Sequence, residues 1–90
     1  MKDETKRILL IILVGKINSS AVEVQRILSD HGCYIKTRLG LHDSSDKYCS
    51  ESGLIILELI DDEDKAEELS EKLEMIKDVS VKLISMSLKE

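Results

Sequence analysis

Ninety residues, 42% hydrophobic and 34% charged, make an ordinary globular chain long enough for one domain, whose modest core buries only about 60–65% of the surface exposed on unfolding. The formal charge of −5 and the crowding of acids in Asp61–Glu74 leave no basic stripe, and two tyrosines with no Phe or Trp leave no platform for stacking bases, so direct nucleic-acid binding is not expected. The apolar run Ile8–Val14 is far shorter than the ~20 residues of a spanning helix and has no signal-cleavage pattern; the chain reads as cytoplasmic, away from membranes, with Cys33 and Cys49 as reduced thiols too few for a four-thiolate cluster.

In chain order, residues 1–6 form a charged lead-in expected to fray. Arg7–Gly15 is a continuous Ile- and Leu-rich run, the pattern of a strand buried on both faces. Ser20-Ala21-Val22-Glu23 has the form of a capping box, and Ala21, Val24, Ile27 and Leu28 recur behind it at helical spacing. Asp30-His31-Gly32 ends that helix, with His31 against its negative end and Gly32 suited to a left-handed cap. Cys33–Leu41 then alternates with period two. Cys33, Ile35, Thr37, Leu39 and Leu41 are expected on the packed side, and Tyr34, Lys36, Arg38, Gly40 and His42 on the other.

Residues 42–53 have loop composition. Leu54–Ile60 is a second apolar strand, with Ile55, Leu57 and Leu59 on one face and Leu54, Ile56, Glu58 and Ile60 on the opposite one. Asp61 or Asp62 caps the next helix, whose stripe is Ala66, Leu69, Leu73 and Ile76. Val79–Leu88 closes the chain as a strand, with Val79, Val81 and Leu83 set against Lys82, Ile84 and Met86. No repeat, linker or proline divides the chain, so 1–90 is expected to be a single domain.

Strand, helix, strand, strand, helix, strand is the order of an α+β, ferredoxin-like βαββαβ sandwich: a four-stranded antiparallel sheet with both helices on one face. Helices on one face leave the other bare. Because the first strand is apolar on both sides and Leu54, Ile56 and Ile60 add to its far side, that bare face is expected to be covered by a second copy of the chain.

His42 at a strand end and Cys49 in the loop after it offer imidazole and thiolate, the ligand types for nickel or zinc. A strand-end histidine and a loop thiol with no joint role fit the same spacing. Arg38, beside Lys36 and Tyr34 on the expected open face, has the geometry to clamp a carboxylate or phosphate, or else to pair with Glu58 across the strands. His31 reads as a helix-end cap and Cys33 as a small core residue. No nucleophile–base–orienter set and no phosphate-cradling glycine motif can be assembled, so the chain is not read as an enzyme.

The segment Gly32-Cys33-Tyr34-Ile35-Lys36-Thr37-Arg38-Leu39-Gly40, the strand Gly53–Ile60, and Lys72-Leu73 followed by Val79-Ser80-Val81-Lys82 resemble the iron-only hydrogenase system regulators, small stand-alone ACT-like domains. The likeness runs from about Lys6 to Leu88. It implies a ferredoxin-like homo-oligomer without enzymatic activity and a link to hydrogenase maturation. More distantly, His42, the loop, Cys49 and the following apolar strand resemble the C-terminal sensor domain of nickel-responsive repressors, with Gly40 where that layout has a second histidine. Their ribbon-helix-helix segment has no counterpart here, so a role in transcription would need a protein partner. The expected function is a regulatory or sensor module that pairs with itself and binds a small ligand or metal ion. A structural or assembly protein acting through protein contacts alone is the alternative.

Overall fold

The computed structural model describes residues 5–42 and 53–88; Leu41 and His42 are described by their place in the backbone. Its elements are β1 (Lys6–Val14), α1 (Asn18–Asp30), a single 3-10 turn (Gly32–Tyr34), β2 (Ile35–His42), β3 (Gly53–Leu59), α2 (Glu63–Glu74) and β4 (Val79–Ser87). The strands form one sheet in the order β2-β3-β1-β4, with every neighbouring pair antiparallel. This is the ferredoxin-like βαββαβ arrangement.

The doubly apolar strand lies in the middle of the sheet, flanked by β3 and β4, with one of its faces covered by the helices. Ile8, Leu10, Ile12 and Val14 of β1 turn toward the helices and are buried, joined by Ile55, Leu57 and Leu59 of β3. From above, α1 contributes Val24, Ile27 and Leu28, and α2 contributes Ala66, Leu69 and Leu73. With no Phe or Trp, this core of branched aliphatics gains shape by interdigitation and leaves little slack for a lost methylene.

Both helices begin and end by specific devices. Asp62 caps α2, its carboxylate accepting from the Lys65 backbone N–H at 3.1 Å, with Glu63 and Asp64 in the first turn and Lys72 in the last. At α1 the expected capping box does not form. The helix starts three residues earlier, at Asn18, with extended Ile17 as its N-cap. Ser20, a buried residue, donates its hydroxyl to the Lys77 carbonyl at 2.6 Å, tying α1 to the α2–β4 connection. Glu23 pairs with Arg26 instead of reaching back.

Gly32 is not a left-handed cap, since no described glycine has positive φ. The helix ends on His31, whose backbone N–H and ring Nδ1 both turn to the Ile27 carbonyl, the ring at 2.9 Å. The positive φ lies at Asp78, at 64°. Its carbonyl accepts from the Gly15 N–H at 2.9 Å, and its carboxylate occupies the space a Cβ on Gly15 would need.

Three further expectations change. Cys33 belongs to the 3-10 turn and is exposed, not a core residue. Lys6 is part of β1, and its ammonium is held by Asp61 and Glu63 across the chain, so ordering begins before the expected end of the lead-in. Most consequential is a bulge between Ile35 and Thr37, where Lys36 is the extra residue. Ile35 pairs with Leu59, then Thr37 with Glu58 and Arg38 with Leu57. One inserted residue exchanges the faces of everything after it.

Candidate functional site

The bare face of the sheet is the largest candidate surface. By register it carries Leu9, Ile11 and Leu13 from β1, Leu54 and Ile56 from β3, Leu39 from β2, and Ile84 and Met86 from β4. Leu9, Ile11, Leu54, Ile56 and Ile84 are half-buried by their neighbours, while Leu13 is 55% exposed, Leu39 50% and Met86 57%. That many contiguous aliphatic side chains exceed the scatter of single apolar residues on an ordinary surface. Leu54 and Ile56 stand where the sequence put them. Ile60, just past β3, is half-buried, and its backbone N–H donates to the Tyr34 carbonyl at 3.0 Å.

One cluster of charge is set into this face. Glu58, in a central strand and with its side chain 16% exposed, accepts two hydrogen bonds from Arg7 Nη1 at 2.9 and 3.1 Å. Lys36, projected by the bulge, reaches the same carboxylate at 3.6 Å. Arg38 is absent from this group. The bulge turns it to the helix side, where its guanidinium donates to the Gln25 side chain of α1. Neither the expected open-face clamp at Arg38 nor its pairing with Glu58 forms; Arg7 and Lys36 hold that carboxylate. The alternation Arg7, Leu9, Ile11 could have located Arg7 on this face, whereas nothing in the composition of β2 announces the bulge.

His42 closes β2 opposite Gly53. Cys49, the other half of the expected His42–Cys49 pair, lies outside the described residues. Among the described residues no three His, Cys, Asp or Glu side chains converge on a common point for a metal ion.

A second concavity of about 410 Å³ lies between the end of α1 and the end of α2, over Ile27, Met75 and Ile76. His31 lines it from beneath. With Nδ1–H donated to Ile27, its Nε2 is an acceptor facing the Lys72 ammonium at 3.4 Å. Lys72 is also bound to Glu68 at 3.2 Å. The Glu68 carboxyl lies below its ordinary value of 4.5, first because Lys72 hydrogen-bonds its anion and second because Lys65 stands near. Arg26, between Glu23 and Asp30, is raised above its ordinary value, chiefly by its hydrogen bond to Glu23. These charges neutralise one another locally, and His31 acts as the cap that the sequence suggests.

Residues 7–83 match a family model described as "TM1266-like: Iron-only hydrogenase system regulator, putative". The chain belongs to this family. Consistent with that, the TM1266-like chain is similar to the uncharacterized protein TM1266 of Thermotoga maritima, at 25% identity and a TM-score of 0.78, over 93% of this chain and 99% of that one. It shares its fold with the ACT domain of a GTP pyrophosphokinase of Chlorobium tepidum, at 16% identity and a TM-score of 0.63, over 91% and 100% of the two chains. The same holds for CPII, a nitrogen regulatory PII-like protein of Thiomonas intermedia K12 whose structure holds ADP, AMP and bicarbonate. That match is 14% identical, with a TM-score of 0.59 over 98% of each chain. No curated protein matches the TM1266-like chain in sequence. No helix among its described residues is long and apolar enough to cross a membrane.

Proposed function

We propose that this domain is a regulatory module with no catalytic step of its own. It pairs with a second copy through the open face of its sheet, takes a small ligand or a metal ion, and reports that state to another protein of a hydrogenase system. The observation that carries the reading is the aliphatic face itself, where Leu13 and Leu39 are half exposed or more beside Leu9, Ile11, Leu54 and Ile56. Full burial of side chains of this kind gains about 1.5–3 kcal/mol each, so a self-complementary pairing is strongly favoured over hydration.

Ile11→Glu tests the pairing cleanly. Residue 11 lies opposite Lys82 on β4, so the new carboxylate meets an opposite charge in the monomer, while in the dimer it is driven into aliphatic surface. Light scattering at micromolar concentration is expected to give a dimer for the wild type and a folded monomer for the variant. A folded wild-type monomer refutes the pairing.

For the ligand, Arg38 and His42 are the proposed contacts for a small molecule, and His42 with Cys49 the proposed donors for nickel or zinc, which a symmetric pair would supply twice. The regulatory family and the shared fold of a PII-like protein holding ADP and AMP support ligand binding in general and make these nucleotides the first to screen. Equilibrium dialysis with Ni²⁺ and Zn²⁺ is expected to show uptake that His42→Ala abolishes. Uptake unchanged by that substitution removes the metal role. A wild type bound by neither metal nor nucleotide leaves a protein acting through contacts with other proteins alone.

A further inference from the structure

We infer that the paired sheet face holds a small oxyanion, bound by Arg7 and Lys36 beside Glu58. This rests on the pairing proposed above and names the chemistry of a ligand for it. The chain as a whole is acidic, at −5. Its open face is the reverse: among the described residues it carries Arg7, Lys36 and Lys82 against the single carboxylate of Glu58. The described acids concentrate elsewhere, chiefly on α1 and α2.

The Arg7–Glu58–Lys36 cluster is therefore one positive charge in excess, set beside aliphatic neighbours. Arg7 uses only Nη1 on Glu58, so among the described residues its Nε and Nη2 donors remain for a second acceptor. Lys36 stands at 3.6 Å from the same carboxylate and has N–H bonds to give. A second copy closing over this face would bury two such clusters, and a buried unpaired charge is strongly disfavoured. An oxyanion between Arg7 and Lys36 removes the excess with charge-assisted hydrogen bonds, for which a guanidinium is well shaped. The competing arrangement is that both long side chains run out to the rim and stay hydrated.

The test is sedimentation of wild type, Arg7→Gln, Lys36→Gln and Glu58→Gln in chloride, with inorganic phosphate or AMP exchanged for it at roughly millimolar level and constant ionic strength, so that screening is equal in all arms. An anion that binds only the dimer lowers its dissociation constant by mass action, here expected by about five-fold or more. Arg7→Gln and Lys36→Gln are expected to remain dimeric and lose the response. Glu58→Gln is expected to enlarge it, because the competing carboxylate is gone, whereas a purely structural ion pair predicts only a weaker dimer. Tightening by phosphate and AMP alike assigns the site to the phosphoryl group, and tightening by AMP alone to a nucleotide. A wild-type dimer indifferent to both overturns the oxyanion site while leaving the pairing intact. A wild type monomeric in every buffer overturns both.

Discussion

Gly15 and Asp78 show how two residues far apart in the chain fix one another. Asp78 holds a left-handed φ of 64°, which costs a residue with a Cβ about 1–2 kcal/mol, and its carboxylate fills the space beside Gly15. Gly15→Ala therefore cannot be accommodated without displacing that carboxylate. Because the exposed Asp78 side chain can turn away, the expected loss is modest, about 0.5–1 kcal/mol, or a melting temperature lower by roughly 4–8 °C per kcal/mol in a chain of this size. Adding Asp78→Gly, which supplies the left-handed backbone and vacates the space, is expected to restore most of it. A Gly15→Ala protein that melts with the wild type would refute this account of the junction.

Among the elements, α1 and α2 differ in how their starts are secured, and the difference is measurable. Ser20 is a tie between layers and not a cap, so Ser20→Ala leaves the Lys77 carbonyl without this part-buried donor and is expected to cost about 0.5–1.5 kcal/mol. Glu23→Gln breaks only an exposed pair with Arg26 and is expected to cost no more than about 0.5 kcal/mol. A true capping box would make the two losses comparable, which denaturant titration resolves. Along α2, Glu68 is bracketed by Lys65 and Lys72. Its folded value lies below 4.5, so the stability of these pairs is present above that pH and is lost as pH falls through the lower folded value. Glu63 and Glu23 are lowered too, by Lys6 and Arg26 respectively, and add the same sign. The melting temperature is expected to fall on acidification below about pH 4.5, and Glu68→Gln to blunt the fall.

The elements also show why some features could be read in the residues and others could not. Periodicity identified all four strands and both helices, and it separated Ile55, Leu57 and Leu59 from Leu54 and Ile56 correctly, because burial enforces alternation in a central strand. It fails on β2, an edge strand whose described side chains, from Ile35 to Gly40, are exposed or half-buried and therefore constrain nothing. There the bulge at Lys36 moved Arg38 to the helix side without a compositional trace. Ser20 was misassigned because a local motif competes with a long-range partner, Lys77, that no window of sequence contains.

At the scale of the whole molecule, the two faces of the sheet have separate tasks. The helix side is complete: its core residues are almost fully buried, and Arg26 and Lys72 on its surface are held by neighbouring acids. Among the described residues the other side has an aliphatic floor, a cationic excess and no element above it. A core this small leaves limited stability to the isolated fold, so pairing through the bare face is expected to contribute a substantial share of what is measured. Stability then depends on mass action: wild-type melting temperature should rise with protein concentration, because the paired form alone is favoured by crowding the copies together. Ile11→Glu, which keeps its cross-strand partner Lys82 but forbids the pairing, should melt at a lower temperature that no longer varies with concentration. Two concentration-independent transitions at the same temperature would mean that the aliphatic face contributes nothing by self-association.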